Sequence, residues 1–145
     1  MRPAAHWSGR FVLGAVALLS AMSVTAAAEP SEDAVTSARA AVAGLTPKDA
    51  GARYGQALGA VEICIGAKVT DKASALNSVY SGSDLDTFKA QATKIYDAWL
   101  KVKHCVRQDD PNQCKVIMDE SCAAAIAEIG PSGTAVPGLL DAPPR

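Results

Sequence analysis

The sequence predicts an all-α fold, a small four- to five-helix bundle stapled by two disulfides. Over most of residues 31–129, apolar residues recur at steps of three and four, which is the period of amphipathic helices. Capping residues and prolines divide this region into separate helices. The chain has four cysteines, an even number that suits two bridges. No stretch shows the alternation of apolar and polar residues that predicts a strand.

Residues 1–28 predict a secretory signal peptide. Arg2 and Arg10 make its start basic, residues 11–24 are apolar, and the small residues before Glu29 suit cleavage after Ala28. The apolar run is short for a membrane anchor, so we expect no membrane span after signal cleavage. Export would place the cysteines in an oxidising compartment, where disulfides persist. The alanine-rich composition adds to the prediction of a periplasmic or secreted bacterial protein.

The charge balance bears on the choice of partner. The chain has 14 basic and 15 acidic residues, and without Arg2 and Arg10 the balance becomes 12 against 15, a net charge near −3. A negative domain is not expected to bind nucleic acid or an anionic membrane surface. The remaining chain of about 117 residues is long enough for one domain with one core.

Residues 29–130 predict one helical disulfide-bonded domain, whose first two helices start at recognisable caps. Ser31 caps a first helix that stops near Gly44. Thr46 caps a second helix, which has a proline at its first position and is expected to continue to about Ala67. The buried face of this second helix is predicted to contain five apolar residues: Tyr54, Leu58, Val61, Cys64 and Ile65.

A row of glycines, Gly51, Gly55 and Gly59, recurs every four residues in the second helix. Each glycine costs about 0.5–1 kcal/mol relative to alanine in a helix interior, so we expect a close contact that offsets this cost. The leading interpretation is packing against the first or last helix of the same domain. Two alternatives are a groove for a helix of a partner protein or second copy, and a ligand surface.

A short third helix is predicted over residues 70–80, followed by a long helical hairpin. The first hairpin helix spans residues 84–107 behind a cap at Ser83. The second spans residues 112–129, because Asp110 and Pro111 start a helix and Gly130 ends one. We expect the other helices to pack around this hairpin.

Helix geometry restricts how the four cysteines can pair. Cys114 and Cys122 are eight residues apart on one helix, a rise of about 12 Å, whereas a disulfide needs Cα atoms within about 7 Å. Cys105 is about level with Cys114 across the hairpin turn, which makes a Cys105–Cys122 bridge strained. Of the three possible pairings, we favour Cys105–Cys114 together with Cys64–Cys122.

Residues 131–145 predict a flexible tail. This segment has four prolines, two glycines and no helical period, a composition typical of disordered ends. Residues 136–140 are apolar, and the alternative to an inert tail is that they form a short docking segment.

No catalytic, metal or cofactor motif is recognisable. His104 and Cys105 are adjacent in a helix, and adjacent helical side chains do not face each other as a catalytic Cys–His pair must. The cysteine spacings lack the close pairs of zinc sites. Four acids near the hairpin turn do not match the register of a calcium-binding loop: Asp109, Asp110, Asp119 and Glu120. We therefore expect no metal, no cofactor and no enzymatic activity.

These features favour a non-enzymatic binding or accessory protein that acts through protein–protein contact, as an inhibitor, an adaptor or an envelope-assembly subunit. The expected partner is another envelope protein or a second copy of the chain. Two alternatives stay open. One is a small-ligand carrier with an apolar cavity in the helical bundle, and the other is a periplasmic stress chaperone.

Overall fold

The structure, a computed structural model, describes residues 29–105 and 110–143. Five α-helices follow one another in this part of the chain: α1 (Glu32–Ala41), α2 (Pro47–Ile63), α3 (Asp71–Ala75), α4 (Gly82–Lys103) and α5 (Pro111–Ile129). A 3-10 helix over Leu76–Ser78 continues α3. The predicted helical fold with two disulfides is confirmed. The predicted signal peptide lies outside the described residues.

The predicted starts of four helices are confirmed by side-chain caps. In each, an oxygen of the residue before the helix accepts a backbone N–H two or three residues later: Ser31 from Ala34, Thr46 from Asp49, Thr70 from Ala73, and Asp110 from Asn112. The start of α4 differs from the prediction. It begins at Gly82 after Ser81, whose side chain makes no capping bond, and not at Ser83.

The most extensive packing in the fold is between α2 and α4, through the glycine row. A Cβ atom built on any of the three glycines would overlap α4: on Gly51 the carbonyl oxygen of Phe88, on Gly55 that of Ala92, and on Gly59 the side chain of Trp99. The two helices thus approach backbone to backbone, which residues with side chains would prevent.

This packing confirms that the glycine row packs within the same domain, but against α4 and not against the first or last helix as expected. The alternative, that Gly51, Gly55 and Gly59 form a groove for a partner, is wrong, because a helix of the same chain fills it. The predicted hairpin is also not the centre of the fold, since α4 contacts α2 far more extensively than it contacts α5.

The buried face of α2 differs from the predicted one. Small residues are buried there: the three glycines against α4, and Ala50, Ala57 and Ala60 in the core cluster. The buried position of Cys64 is confirmed, but Ile65 is 96% exposed. Helix α2 ends at Ile63, about four residues earlier than predicted.

The prediction of a flexible tail is wrong for residues 131–143, which we call the C-terminal strap. Val136, Leu139 and Leu140 are fully buried in the same core as α1, α2 and α5. Two short strands, β1 (Lys68–Val69) and β2 (Leu140–Asp141), pair antiparallel. The strap therefore closes the core, and only residues 144–145 of the predicted tail lie outside the description.

Hydrogen bonds to its backbone fix the strap to the end of α5 and to the start of α3. The N–H of Leu139 donates to the carbonyl of Ile129 at 3.0 Å, and the Thr70 hydroxyl donates to the carbonyl of Gly138 at 2.7 Å. Gly138 has a φ of 76°, which side-chain-bearing residues rarely adopt. Pro131, Pro137 and Gly138, which suggested disorder, therefore lie in turns between the residues that fix the strap.

A polar contact joins α2 to α4 beyond the glycine row. Glu62 accepts a hydrogen bond from the Tyr96 hydroxyl at 3.2 Å and one from Lys103 Nζ at 2.5 Å. The hydrogen bond and charge of Lys103, and then the Tyr96 bond, lower the pKa of Glu62 below its ordinary value of 4.5. Because the folded state has the lower pKa, this contribution to stability is present above pH 4.5 and is lost on acidification.

The close contact at Gly55 predicts the effect of adding one methyl group. In Gly55→Ala, we expect the free energy of unfolding to fall by about 1–3 kcal/mol, since the Cβ overlaps the backbone of α4. The matched control is Gly44→Ala, where nothing lies within 4 Å of the added atom and the free energy should stay equal or rise by about 0.4–1 kcal/mol. Urea unfolding measures both, and equal stabilities would contradict the close approach.

Burial of the strap predicts a large effect of truncating Leu139. Because this side chain is fully buried, Leu139→Ala should lower the free energy of unfolding by about 2–5 kcal/mol. The control is Ala135→Ser at an exposed strap position, where the change should stay within about 0.5 kcal/mol. Thermal and urea unfolding report both variants. A flexible tail would leave both as stable as the wild type.

Candidate functional site

Both predicted disulfides are confirmed. Cys64 is bonded to Cys122 with Cα atoms 5.6 Å apart, and Cys105 to Cys114 with Cα atoms 5.8 Å apart. The first bridge ties the end of α2 to the middle of α5, and the second closes the loop between α4 and α5. All four cysteines are therefore paired. Two disulfides indicate an oxidising, extracellular environment.

The bridges shape a surface groove of about 520 Å³ between α5 and the loop that follows α2, which we call the disulfide groove. Its floor on α5 contains Cys114, Met118 and Cys122, and its opposite wall contains Ile63 and Ile65. Residues four apart lie on one face of a helix, so the two cysteines and the methionine between them share one side of α5.

Ile65 lies on the wall of this groove because of where α2 ends. The disulfide at Cys64 holds the chain against α5 immediately before Ile65, and Gly66 then turns the backbone with a φ of 77°. The isoleucine is left 96% exposed, more than any other large apolar side chain of the described residues. Val116 and Ile117 of α5 are also exposed, at 52% and 39%, but they do not line the groove.

The rim of the groove carries one charge of each sign. Lys115 and Asp119 are four residues apart on α5, and both line the groove. Their side chains form an ion pair within the helix and remain 74% and 51% exposed. A pair this exposed contributes about 0.3–0.5 kcal/mol to stability.

A second groove, which we call the strap groove, lies along the C-terminal half of α5. Its volume is about 570 Å³, and its lining is almost entirely apolar: Ala123, Ile126, Ala127, Pro131, Ser132, Ala142 and Pro143. A Cβ built on Gly66 would lie 3.1 Å from Cγ of Pro143, so the end of the strap adjoins the Ile65 loop. The two grooves therefore continue one another along one side of α5.

Of the predicted site residues, the structure brings Cys114 and Cys122 to one groove and keeps the three glycines away from it. Among the acids near the turn, Asp110 caps α5, Asp119 pairs with Lys115, and Asp109 lies outside the described residues. Within residues 29–105 and 110–143, no group of three or more His, Cys, Asp or Glu residues is placed to hold a metal ion.

The sequence interpretation missed the residues that distinguish this surface. Ile65 was assigned to the interior by extending α2 too far, although Gly66 directly after it is a signal for an earlier turn. Met118 was not singled out, although its spacing of four from both Cys114 and Cys122 places it beside the two bridges. The charged pair of Lys115 and Asp119 carried no signal of its own.

Two further findings complete the description of the site. In the described part of the chain, no helix combines the length and apolar character that crossing a bilayer requires. Comparison with protein-family models, with curated proteins and with solved structures finds no match. The function is therefore argued from the chain's own residues.

Removal of either disulfide is expected to lower the free energy of unfolding, by a different amount for each. The closed loops span 58 and 9 residues, so loop entropy gives about 4 kcal/mol for Cys64–Cys122 and about 2.5 kcal/mol for Cys105–Cys114. Urea unfolding of the paired variants Cys64→Ala with Cys122→Ala, and Cys105→Ala with Cys114→Ala, measures both losses. A larger loss on removing Cys105–Cys114 would contradict the expectation that Cys64–Cys122 contributes more to stability.

Proposed function

We propose that this chain is a non-enzymatic accessory protein of the bacterial envelope that acts through protein–protein contact at the disulfide groove. The observation that carries the proposal is Ile65, fully exposed on the wall of an apolar groove. Burying an isoleucine side chain is worth about 1.5–3 kcal/mol, which a partner covering Ile65 would gain. Exposed apolar surface with a polar rim is typical of protein-binding sites.

The rigidity of the groove supports binding as its role. One disulfide fixes the Ile65 wall to α5, and the other fixes the start of α5 to the end of α4. A surface that is already ordered loses little conformational entropy on binding. This suits an inhibitor, an adaptor or an envelope-assembly subunit, all of which present a fixed surface to a partner.

The chemistry of the groove supports a non-enzymatic role. Its two cysteine sulfurs are each part of a disulfide, Cys114 with Cys105 and Cys122 with Cys64, and offer no thiolate nucleophile. Its charged groups, Lys115 and Asp119, are paired with each other and largely exposed to water, whereas catalytic acids and bases are usually buried and held close to a perturbing group. The basic and then apolar start of the sequence, together with the two bridges, supports a periplasmic location.

The strap groove favours a second candidate function, the carrying of a small apolar ligand. Its volume of about 570 Å³ lies within the range of small-molecule sites. The groove is open at the surface, whereas the carrier hypothesis from the sequence expected a cavity inside the bundle. Contact between α2 and α4 fills the bundle interior along the glycine row. We therefore rank the carrier function below protein binding.

Site-specific photo-crosslinking in the native host tests the proposal. A photoreactive residue at position 65 should give a discrete adduct with a polypeptide, and Met118→Asp should reduce its yield. The matched control is the same residue at position 36, which is exposed on α1. Absence of an adduct from position 65, or the same adduct from both positions, would overturn the proposal. A small molecule retained in native mass spectrometry of the same preparation would favour the carrier function.

A further inference from the structure

We infer that the occupant of the disulfide groove is a second copy of this chain. In the inferred dimer, the two α5 helices cross antiparallel. The two-fold axis lies at the height of Ile117 along each helix. The inference rests on the proposed role of this groove in protein binding and names the partner. Three properties of the groove carry it: the positions of its charges, the relation between Ile65 and the groove, and the exposed apolar residues around them.

Under this two-fold symmetry, each rim charge of one copy lies opposite a rim charge of the other sign on the second copy. Lys115 and Asp119 lie two residues before and two residues after Ile117, about 3 Å from it along the helix axis. Both line the same groove, so they lie on the same flank of α5. An antiparallel crossing at Ile117 therefore places Lys115 opposite Asp119 of the second copy. The symmetry forms the reciprocal pair at the same time.

The shape of the groove is self-complementary in the same way. A two-fold interface uses one surface twice, so that surface must carry both a projection and the hollow that receives it. Ile65 is the projection, and it lines the same groove as Lys115, Met118 and Asp119. It therefore lies near the axis, facing Met118 of the second copy. The flexible thioether of a methionine adapts readily to an inserted apolar side chain.

The apolar residues around the axis support the same occupant. Of the three exposed large apolar residues in the described part of the chain, Ile65 lines the groove and Val116 is next to Lys115 on α5. Ile117 is two residues from both Lys115 and Asp119, about 200° around the helix, so it faces away from this contact. The charges on this rim are opposite in sign and equal in number, so two copies meet without net repulsion.

Charge reversal in two complementary variants tests the dimer. We expect the oxidised protein to show a concentration-dependent mass shift from monomer to dimer in native mass spectrometry and light scattering. Lys115→Glu places two acids opposite each other at each contact, and Asp119→Lys places two bases there. Each single variant should dimerise about tenfold more weakly or worse. An equimolar mixture of the two should form heterodimers, because every contact then joins opposite charges.

The mixing experiment separates contact between copies from the ion pair within the helix. Each variant has lost its internal Lys115–Asp119 pair, and mixing cannot restore it, so heterodimers report the intermolecular contact alone. Lys94→Glu, at an exposed position on α4, makes the same charge change as a control and should leave the dimer unaffected. Circular dichroism establishes that each variant is folded. Ile65→Asp should also dissociate the dimer.

Three results would overturn the inference: a wild type that stays monomeric at all concentrations, a dimer that survives Lys115→Glu, or single variants that stay monomeric when mixed. These results are distinguishable from failure of the proposed function. A monomeric protein that still crosslinks from position 65 to a different polypeptide retains the binding function and loses the second copy as its partner. A protein with no adduct at position 65 loses both.

Discussion

The fold depends on the close approach of the α2 and α4 backbones. Three glycines at four-residue spacing bring the α4 carbonyls of Phe88 and Ala92, and the Trp99 ring, into the space that side chains would occupy. Such an interface gains many dispersion contacts over a short distance, and these offset the cost of glycine within a helix. Because α2 is fixed in this way, the position where it ends determines where Cys64 and Ile65 lie.

The groove is built onto this helix pair by connections that are distant in sequence. The Cys64–Cys122 bridge holds α5 against the end of α2, while Gln56 and Arg53 bind Glu128 of α5 at 2.6 and 2.5 Å. The strap then covers the remaining core with three fully buried side chains. The disulfide groove lies beside this attachment, because Cys122 is both the bridge residue on α5 and part of the groove floor.

The elements governed by local chemistry were predictable from the sequence, and those governed by tertiary contact were not. Ser31, Thr46, Thr70 and Asp110 start helices as predicted because a cap satisfies neighbouring backbone groups. The disulfide pairing followed from helix rise alone. The buried face of α2 did not follow, because apolar periodicity identifies large side chains, whereas the residues buried on α2 are small, with glycines against α4 and alanines in the core. The strap was missed because its apolar residues find partners only in the folded core.

The two bridges are nested, since the pair formed by Cys105 and Cys114 lies between Cys64 and Cys122 in sequence. In an oxidising environment, pairing of the cysteines in sequence order would join Cys64 to Cys105 before Cys122, its native partner, is available. Oxidation in that order would therefore give a non-native bond. Correct maturation of the chain requires either that helices form before the thiols react, or that thiol–disulfide exchange catalysed by an isomerase releases Cys64 for Cys122.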